Sequence, residues 1–233
     1  MVETDLSNVL NPAQLEAVQH GDGPLLILAG AGSGKTRVIA YRIAHLINER
    51  GVAPEKIIAL TFTNKAANEM RERVAALLNR DARSIWVGTF HATCVRILRI
   101  WAHAVNYSRD FVIFDEADQL ALIRACMKER DIPTDRYPPR AVASAISTWK
   151  NSLGGDRPSR EGARPGPILE KAAAIYPVYQ QKLAESTAMD FDDLLLNTVR
   201  LFETDPRALE ANQTRWSHIL VDEYQDTNYP QYR

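Results

Sequence analysis

The 233-residue chain sets 28 Lys and Arg against 29 Asp and Glu, for a net charge of −1. No global basic field holds a polyanion, so any nucleic-acid contact has to come from a local groove. Hydrophobic residues make up 45% of the sequence, enough for one large domain or two small ones, while two cysteines, Cys94 and Cys126, are too few for a disulfide framework or a zinc site and fit a reducing cytoplasm. Residues 1–20 lack the basic and apolar blocks of a secretory leader, and no later stretch approaches a membrane span.

Along the chain, Asn11-Pro12 reads as a helix cap with proline at the first helical position, opening a helix to about Gln19. The apolar run Pro24–Leu28 predicts a strand, which leads through Ala29-Gly30-Ala31-Gly32-Ser33-Gly34-Lys35-Thr36 into a helix reaching about Glu49. A glycine-rich loop at a strand–helix junction that ends in Lys-Thr is the arrangement of a P-loop. Gly30, Gly32 and Gly34 allow the loop, with Ala31 and Ser33 between them, to turn backbone N–H groups inward on phosphate oxygens, and the new helix directs its positive end to the same place. Lys35 is expected to neutralise the β- and γ-phosphates of a nucleoside triphosphate, and Thr36 to ligate Mg²⁺. Ala29 stands where the general pattern has glycine; its side chain is small enough if φ there is negative.

Strands are predicted at Ile57–Phe62 and Ile85–Gly88 with a helix at Lys65–Leu78 between them, giving βαβαβ and hence a parallel sheet with helices on both faces. From about Ala92 to Thr187 the pattern is helix after helix, at Thr93–Ala104, Glu116–Arg130, Pro139–Asn151 and Ile168–Glu185, with Phe111–Phe114 extended and a Gly/Pro/Arg-rich exposed loop from Asn151 to Pro167. The apolar run His218–Val221 then ends in Asp222-Glu223-Tyr224-Gln225-Asp226, the form of a Walker B strand. Asp222 is expected to hold Mg²⁺ through Thr36 or water, and Glu223 to orient and deprotonate an attacking water, with Gln225 in the same catalytic set. Because the P-loop needs its Walker B strand, the economical division is an α/β domain over 1–91, a helical insertion over 92–187 and a return to the first domain over 188–233.

In this order the motifs resemble the first half of a superfamily 1 DNA helicase of the UvrD/Rep/PcrA type, over essentially the whole chain. Leu10–Gln14 resembles the Q-motif, Ala29–Thr36 motif I, Thr61–Ala67 motif Ia, Gly88–His91 motif Ib, Asp190–Leu195 the segment before motif II, and Val221–Asn228 motif II. The resemblance implies a RecA-like P-loop NTPase sheet with an all-helical insertion. It implies ATP and Mg²⁺ as cofactors, single-stranded DNA and single/double-strand junctions as partners, and 3′-to-5′ translocation in repair or replication. A second RecA-like lobe with arginine fingers would follow, so these residues alone are expected to bind nucleotide weakly and turn over little. A motif III strand, in that fold, lies between the Walker A and Walker B strands, and its absence from this stretch is expected to leave a hole in the sheet.

The resemblance also implies that Gln14 reads the adenine through its amide, and that Arg37 lies over the base or phosphates unless it is a surface residue. At motif Ia the residues themselves point to DNA: Phe62 sits at the carboxyl end of a strand, where parallel sheets open their crevices, with Thr61, Thr63 and Asn64 around it for phosphate oxygens. Phe62 as a cap on the core is the plainer alternative. Thr89, Phe90 and His91 touch DNA backbone in the resembling proteins, although a histidine at a helix start is often only a cap. The insertion resembles subdomain 1B, where Trp149, Lys150 and Asn151, with Arg157, Arg160 and Arg164, would stack on bases and contact phosphates. Other readings are the helicase portion of a RecB/AddA-type helicase–nuclease, a non-catalytic module docking a repair or transcription partner, and a metabolic P-loop NTPase.

Overall fold

A computed structural model describes residues 6–30, 32–79, 82–152 and 166–233. The chain divides into two compact units, one running to Phe90 and regaining Glu210–Asp226, the other comprising His91–Leu209 and Thr227–Arg233. By contacts, residues 188–209 group with the helical unit, whereas the sequence pattern returns them to the α/β domain.

In the α/β unit, Asn11 caps α1 (Pro12–Gln19) through a capping box in which Asn11 and Gln14 exchange side-chain-to-backbone hydrogen bonds. Helix α2 (Lys35–Asn48) starts after the left-handed Gly34 and buries Val38 against Leu10, Ala17 and Val18, and Ala40, Ile43, Leu46 and Ile47 in a cluster that also holds Ile57 and Ala59. Strand β1 (Ile57–Thr61) is buried along its whole length, as expected of the centre of a parallel sheet, and reads accordingly as an apolar run. Thr63 caps α3 (Asn64–Leu78), which returns the chain to β2 (Trp86–Thr89), and α4 (Phe90–Trp101) follows without a break.

The helical unit opens its own short parallel ribbon with β3 (Val112–Phe114), then packs α5 (Glu116–Glu129), α6 (Pro139–Asn151) and α7 (Pro167–Glu185) before closing the ribbon with β4 (Ala188–Asp190). Val112 pairs with Ala188 and Phe114 with Asp190. The three helices bury Ile123, Met127, Ile146, Ile175, Tyr179 and Leu183 in one core. Asp190 caps α8 (Phe191–Thr204), α9 (Pro206–Arg215) follows, and β5 (His218–Val221) completes the first unit's sheet in the order β2-β1-β5, all parallel. The short α10 (Tyr229–Tyr232) is capped by Asn228.

One expected strand is not formed. Pro24–Leu28 makes no ladder with the sheet, and Leu25, Leu26, Ile27 and Leu28 stand 43%, 65%, 37% and 88% exposed. Among the described residues no strand pairs with the outer edge of β5, where Ile219 is also exposed, so the run has no neighbour to satisfy its backbone groups. Among those residues, no helix is long and apolar enough to cross a membrane.

The end of α6 also differs from expectation. Trp149 and Lys150 are buried, so neither presents a face to DNA; Lys150 Nζ lies 2.6 Å from Asp190 Oδ2 and 2.8 Å from Asp193 Oδ1. Tyr179 donates its hydroxyl to the same Asp190 oxygen at 2.7 Å. Asn151 donates to Ser147 O and Asp192 Oδ1, and accepts from Asn228. A long cation that looks solvated in sequence is here the centre of a buried charge cluster. Arg157, Arg160 and Arg164 lie outside the described residues.

Candidate active site

Chain reversal at the P-loop depends on two left-handed glycines, Gly32 at φ +74° and Gly34 at φ +88°. A Cβ on Gly34 would sit 3.2 Å from Gln14 Nε2, on top of the strain of positive φ. The Gly34→Ala variant is therefore expected to displace Gln14 and to weaken nucleotide binding at least tenfold, read by titration with a fluorescent ATP analogue.

Gln14 is already committed on both sides. Its Oε1 accepts from Asn11 N at 3.1 Å, and its Nε2 donates to Ser33 O at 2.9 Å, so the first helix is clasped to the loop that would hold phosphate. Ser33 in turn donates its hydroxyl to Gly30 O at 2.7 Å. The asparagine–proline start is what aims Gln14, because the capping box fixes the side chain three residues into the helix. Arg37 points elsewhere: Nη2 donates to Val9 O at 2.6 Å and the guanidinium lies 5.4 Å from the Tyr41 ring centroid. Ala31 falls outside the described residues.

Lys35 Nζ rests on the carbonyls of Ala29 and Gly30, at 3.3 and 3.4 Å, and 3.8 Å from Glu223 Oε2. The ammonium is partly exposed and held by weak partners that a phosphate oxygen outcompetes. Beside it, Thr36 donates its hydroxyl to Asp222 Oδ2 at 2.8 Å, across a separation of 186 residues. Asp222 is buried, and its N–H donates to Leu60 O at 2.9 Å, which continues the β1–β5 ladder by one residue and sets the carboxylate at the sheet's carboxyl edge. A hydroxyl and a carboxylate oxygen in contact at the first turn of a helix are two of the oxygen donors a Mg²⁺ ion takes, the rest of its shell being phosphate and water. The donor set fits the ion, and Thr36 and Asp222 are the residues that would hold it.

Glu223 adopts φ +49°, a conformation uncommon for a side chain other than Asn, Asp or Gly. Its N–H donates to Asp222 Oδ1 at 3.1 Å, and its Oε2 accepts from Gln225 Nε2 at 2.5 Å. Gln225 thus orients the half-exposed carboxylate that faces Lys35. A carboxylate held at this point, with the Lys35 ammonium 3.8 Å away, is equipped to take a proton from water.

At the neighbouring strand ends, Thr61 is buried and donates to Thr63 O at 3.1 Å, and the Thr63 hydroxyl accepts from Ala66 N at 3.1 Å. Both hydroxyls therefore shape the turn into α3. Phe62 is half-buried with its ring 5.6 Å from that of Phe90, which is buried, and Asn64 is exposed; Thr89 is buried at the end of β2. Phe62, half-buried, and the exposed Thr63 and Asn64 are what this turn presents outward, the Thr63 hydroxyl being taken by the cap. His91 belongs to the helical unit, where its ring lies 5.6 Å from Phe191, itself half-exposed; burial pushes the His91 pKa down, opposed by Asp192, so the ring favours its neutral form. Sequence reasoning missed the carbonyls of Ser33 and Leu60, which carry no side-chain signal, and Asn228, whose Asn-x-x-Gln spacing with a proline does signal a capped helix.

Residues 10–233 match the family described as the UvrD/REP helicase N-terminal domain. The chain is 46% identical over 232 residues to the ATP-dependent DNA helicase PcrA of Bacillus subtilis (strain 168), covering 99% of this chain and 31% of that protein. It is 47% identical over 232 residues to the protein of the same name from Leuconostoc citreum, and 46% identical over 227 residues to that of Staphylococcus aureus (strain Mu50 / ATCC 700699), again spanning 31% of each. The chain thus covers about a third of the length of these relatives.

Proposed function

This chain belongs to the UvrD/REP helicase N-terminal domain family, and from that premise we propose that it is the nucleotide- and single-stranded-DNA-binding lobe of an ATP-dependent 3′-to-5′ DNA helicase acting in repair or replication. The observation that carries the reading is the 2.8 Å contact between Thr36 and Asp222, which joins the first turn of α2 to the end of β5 and supports reading the two as a pair for Mg²⁺. Lys35 exchanges the Ala29 and Gly30 carbonyls for phosphate oxygens, and Gln14, in the first turn of α1, exchanges its Ser33 contact for the base. Glu223, oriented by Gln225, receives the proton of the attacking water. Bound Mg²⁺ supplies neutralisation of the phosphate charge.

Phe62 offers a ring face for a base, and Asn64 beside it an amide for the strand's path; stacking and phosphate contact of this kind carry little sequence preference. The two buried free thiols, Cys94 and Cys126, suit a reducing cytoplasm. In this reading the second lobe supplies arginine fingers, and residues 1–233 alone turn over little.

The test is the ATPase rate of the full-length protein, with any sequence that follows residue 233, with and without single-stranded DNA, beside residues 1–233. Stimulation of at least tenfold by DNA, with residues 1–233 near background, is the expected result. Turnover indifferent to DNA would return the site to a metabolic NTPase, and no turnover in either form would favour a docking module.

A further inference from the structure

Helix α1 carries Gln14 but has little of its own to hold it in place. It is eight residues long, and an isolated helix shorter than about 12 to 15 residues is marginal in water. Its end has no left-handed cap: His20, the residue that closes it, sits at φ −46° and ψ 139°, so the last carbonyls need partners from outside the helix.

Helix α2 supplies them. Arg42, half-buried, donates from Nη1 to Val18 O at 2.8 Å and to His20 O, and from Nη2 to Gly21 O at 3.1 Å. Arg50 extends the grip by one residue, its Nη2 lying 3.0 Å from Asp22 Oδ1. At the other end of α1, Arg37 Nη2 donates to Val9 O, and between the two grips Val38 packs against Leu10, Ala17 and Val18. A planar guanidinium serving three carbonyls fixes both the position and the direction of a helix end, which a single-point ammonium does not.

Gln14 needs that precision. Its Nε2 lies 2.9 Å from Ser33 O and 3.2 Å from where a Cβ on Gly34 would stand, so a shift of α1 by about 1 Å either breaks the hydrogen bond or drives the amide into the loop.

We infer that Arg42 is a positioning residue for Gln14: by fastening the far end of α1 to the helix that begins at the phosphate-binding loop, it sets where the amide meets the base, and with it the preference for adenine. The inference rests on the reading above in which Gln14 meets the base. One helix then serves both parts of the nucleotide, with Lys35 and Thr36 opening α2 for the phosphates and Arg42, about two turns on, acting on the base through α1.

The test is equilibrium binding of a ribose-labelled fluorescent ATP analogue to the full-length protein, with GTP and inorganic tripolyphosphate as competitors, all with Mg²⁺. Arg42→Met removes the donors and keeps much of the stem; Arg42→Lys keeps the charge without the fork, and is the milder variant if R42M does not fold. Affinity for the analogue is expected to fall about tenfold in R42M and about threefold in R42K, with discrimination against GTP narrowed by similar factors. Tripolyphosphate is expected to bind within about twofold of the parent, because Lys35 and the loop are untouched. In a Gln14→Ala background the same substitutions are expected to lower affinity by less than about twofold, since the side chain they position is gone. An equal loss with and without Gln14, or a matching loss of tripolyphosphate, would assign Arg42 to the fold at large and overturn the inference alone. R42M and R42K that both bind the analogue within about twofold of the parent would overturn it as well. Gln14→Ala that binds the analogue as the parent does would remove Gln14 from the base, and the inference with it.

Discussion

Glu223→Gln in the complete polypeptide is expected to lower DNA-stimulated ATP turnover by a factor of roughly 10² to 10⁴ while leaving nucleotide affinity within a few-fold of the parent. Glutamine has the shape of glutamate and inherits the same penalty at φ +49°, so the substitution does not relax the loop and isolates the proton-accepting role. The amide also retains an oxygen that can accept from Gln225, as Glu223 Oε2 does at 2.5 Å. Lys35→Ala is the contrasting variant: it removes the ammonium that now bridges the Ala29 and Gly30 carbonyls and faces Glu223 at 3.8 Å, and is expected to lose both affinity and turnover. Steady-state rates, with binding followed by a fluorescent ATP analogue, separate the two. Turnover of Glu223→Gln within threefold of the parent would remove Glu223 as the base and leave Gln225 without a reason for its contact.

The candidate site was legible because its two halves are each local. A glycine-rich turn entering a helix at Lys35, and a Walker B run ending at Asp222, declare themselves within a few residues, and the 186-residue gap between Thr36 and Asp222 is closed where β5, paired with β1, ends against the first turn of α2. Pro24–Leu28 misled for the complementary reason. Its composition is that of a buried strand, but a strand is a property of a pair, and no described strand lies against it. Strand β4 went unnoticed because three residues, Ala188–Asp190, between two helices give no alternation to detect. The least legible residue was Lys150: next to an aromatic and ahead of an arginine-rich loop it resembles a DNA contact, and nothing within helical reach reveals that carboxylates 40 residues later enclose it.

That enclosure makes Lys150→Met the largest expected stability loss in the helical unit, about 3 to 5 kcal/mol, since it removes the cation and leaves Asp190 and Asp193 buried without it. Methionine fills much of the volume of the lysine stem, so the loss reports charge rather than a cavity. The pH dependence distinguishes this from ordinary packing damage. In the parent, burial pushes the Asp193 pKa up to about 6, with Lys150 opposing and the Asp190 carboxylate adding to the rise. A carboxyl raised above its unfolded value of about 3.9 contributes stability that is full below that value and is lost as pH climbs through about 6. Asp190 has the opposite sign: burial raises its pKa, but Lys150 and the Tyr179 hydroxyl outweigh that and hold it below the usual range, so its contribution is present above the unfolded value and lost as pH falls through the folded one. Without Lys150 both carboxyls are raised, and both take up protons as the solution is acidified. The deficit of Lys150→Met measured by urea unfolding is therefore expected to be greatest near pH 7.5 and to shrink toward pH 5, and K150M/D190N/D193N to recover part of it at neutral pH. A deficit that is the same at both pH values would mean that Lys150 acts through its methylenes, and that the two carboxylates are held by their cap hydrogen bonds alone.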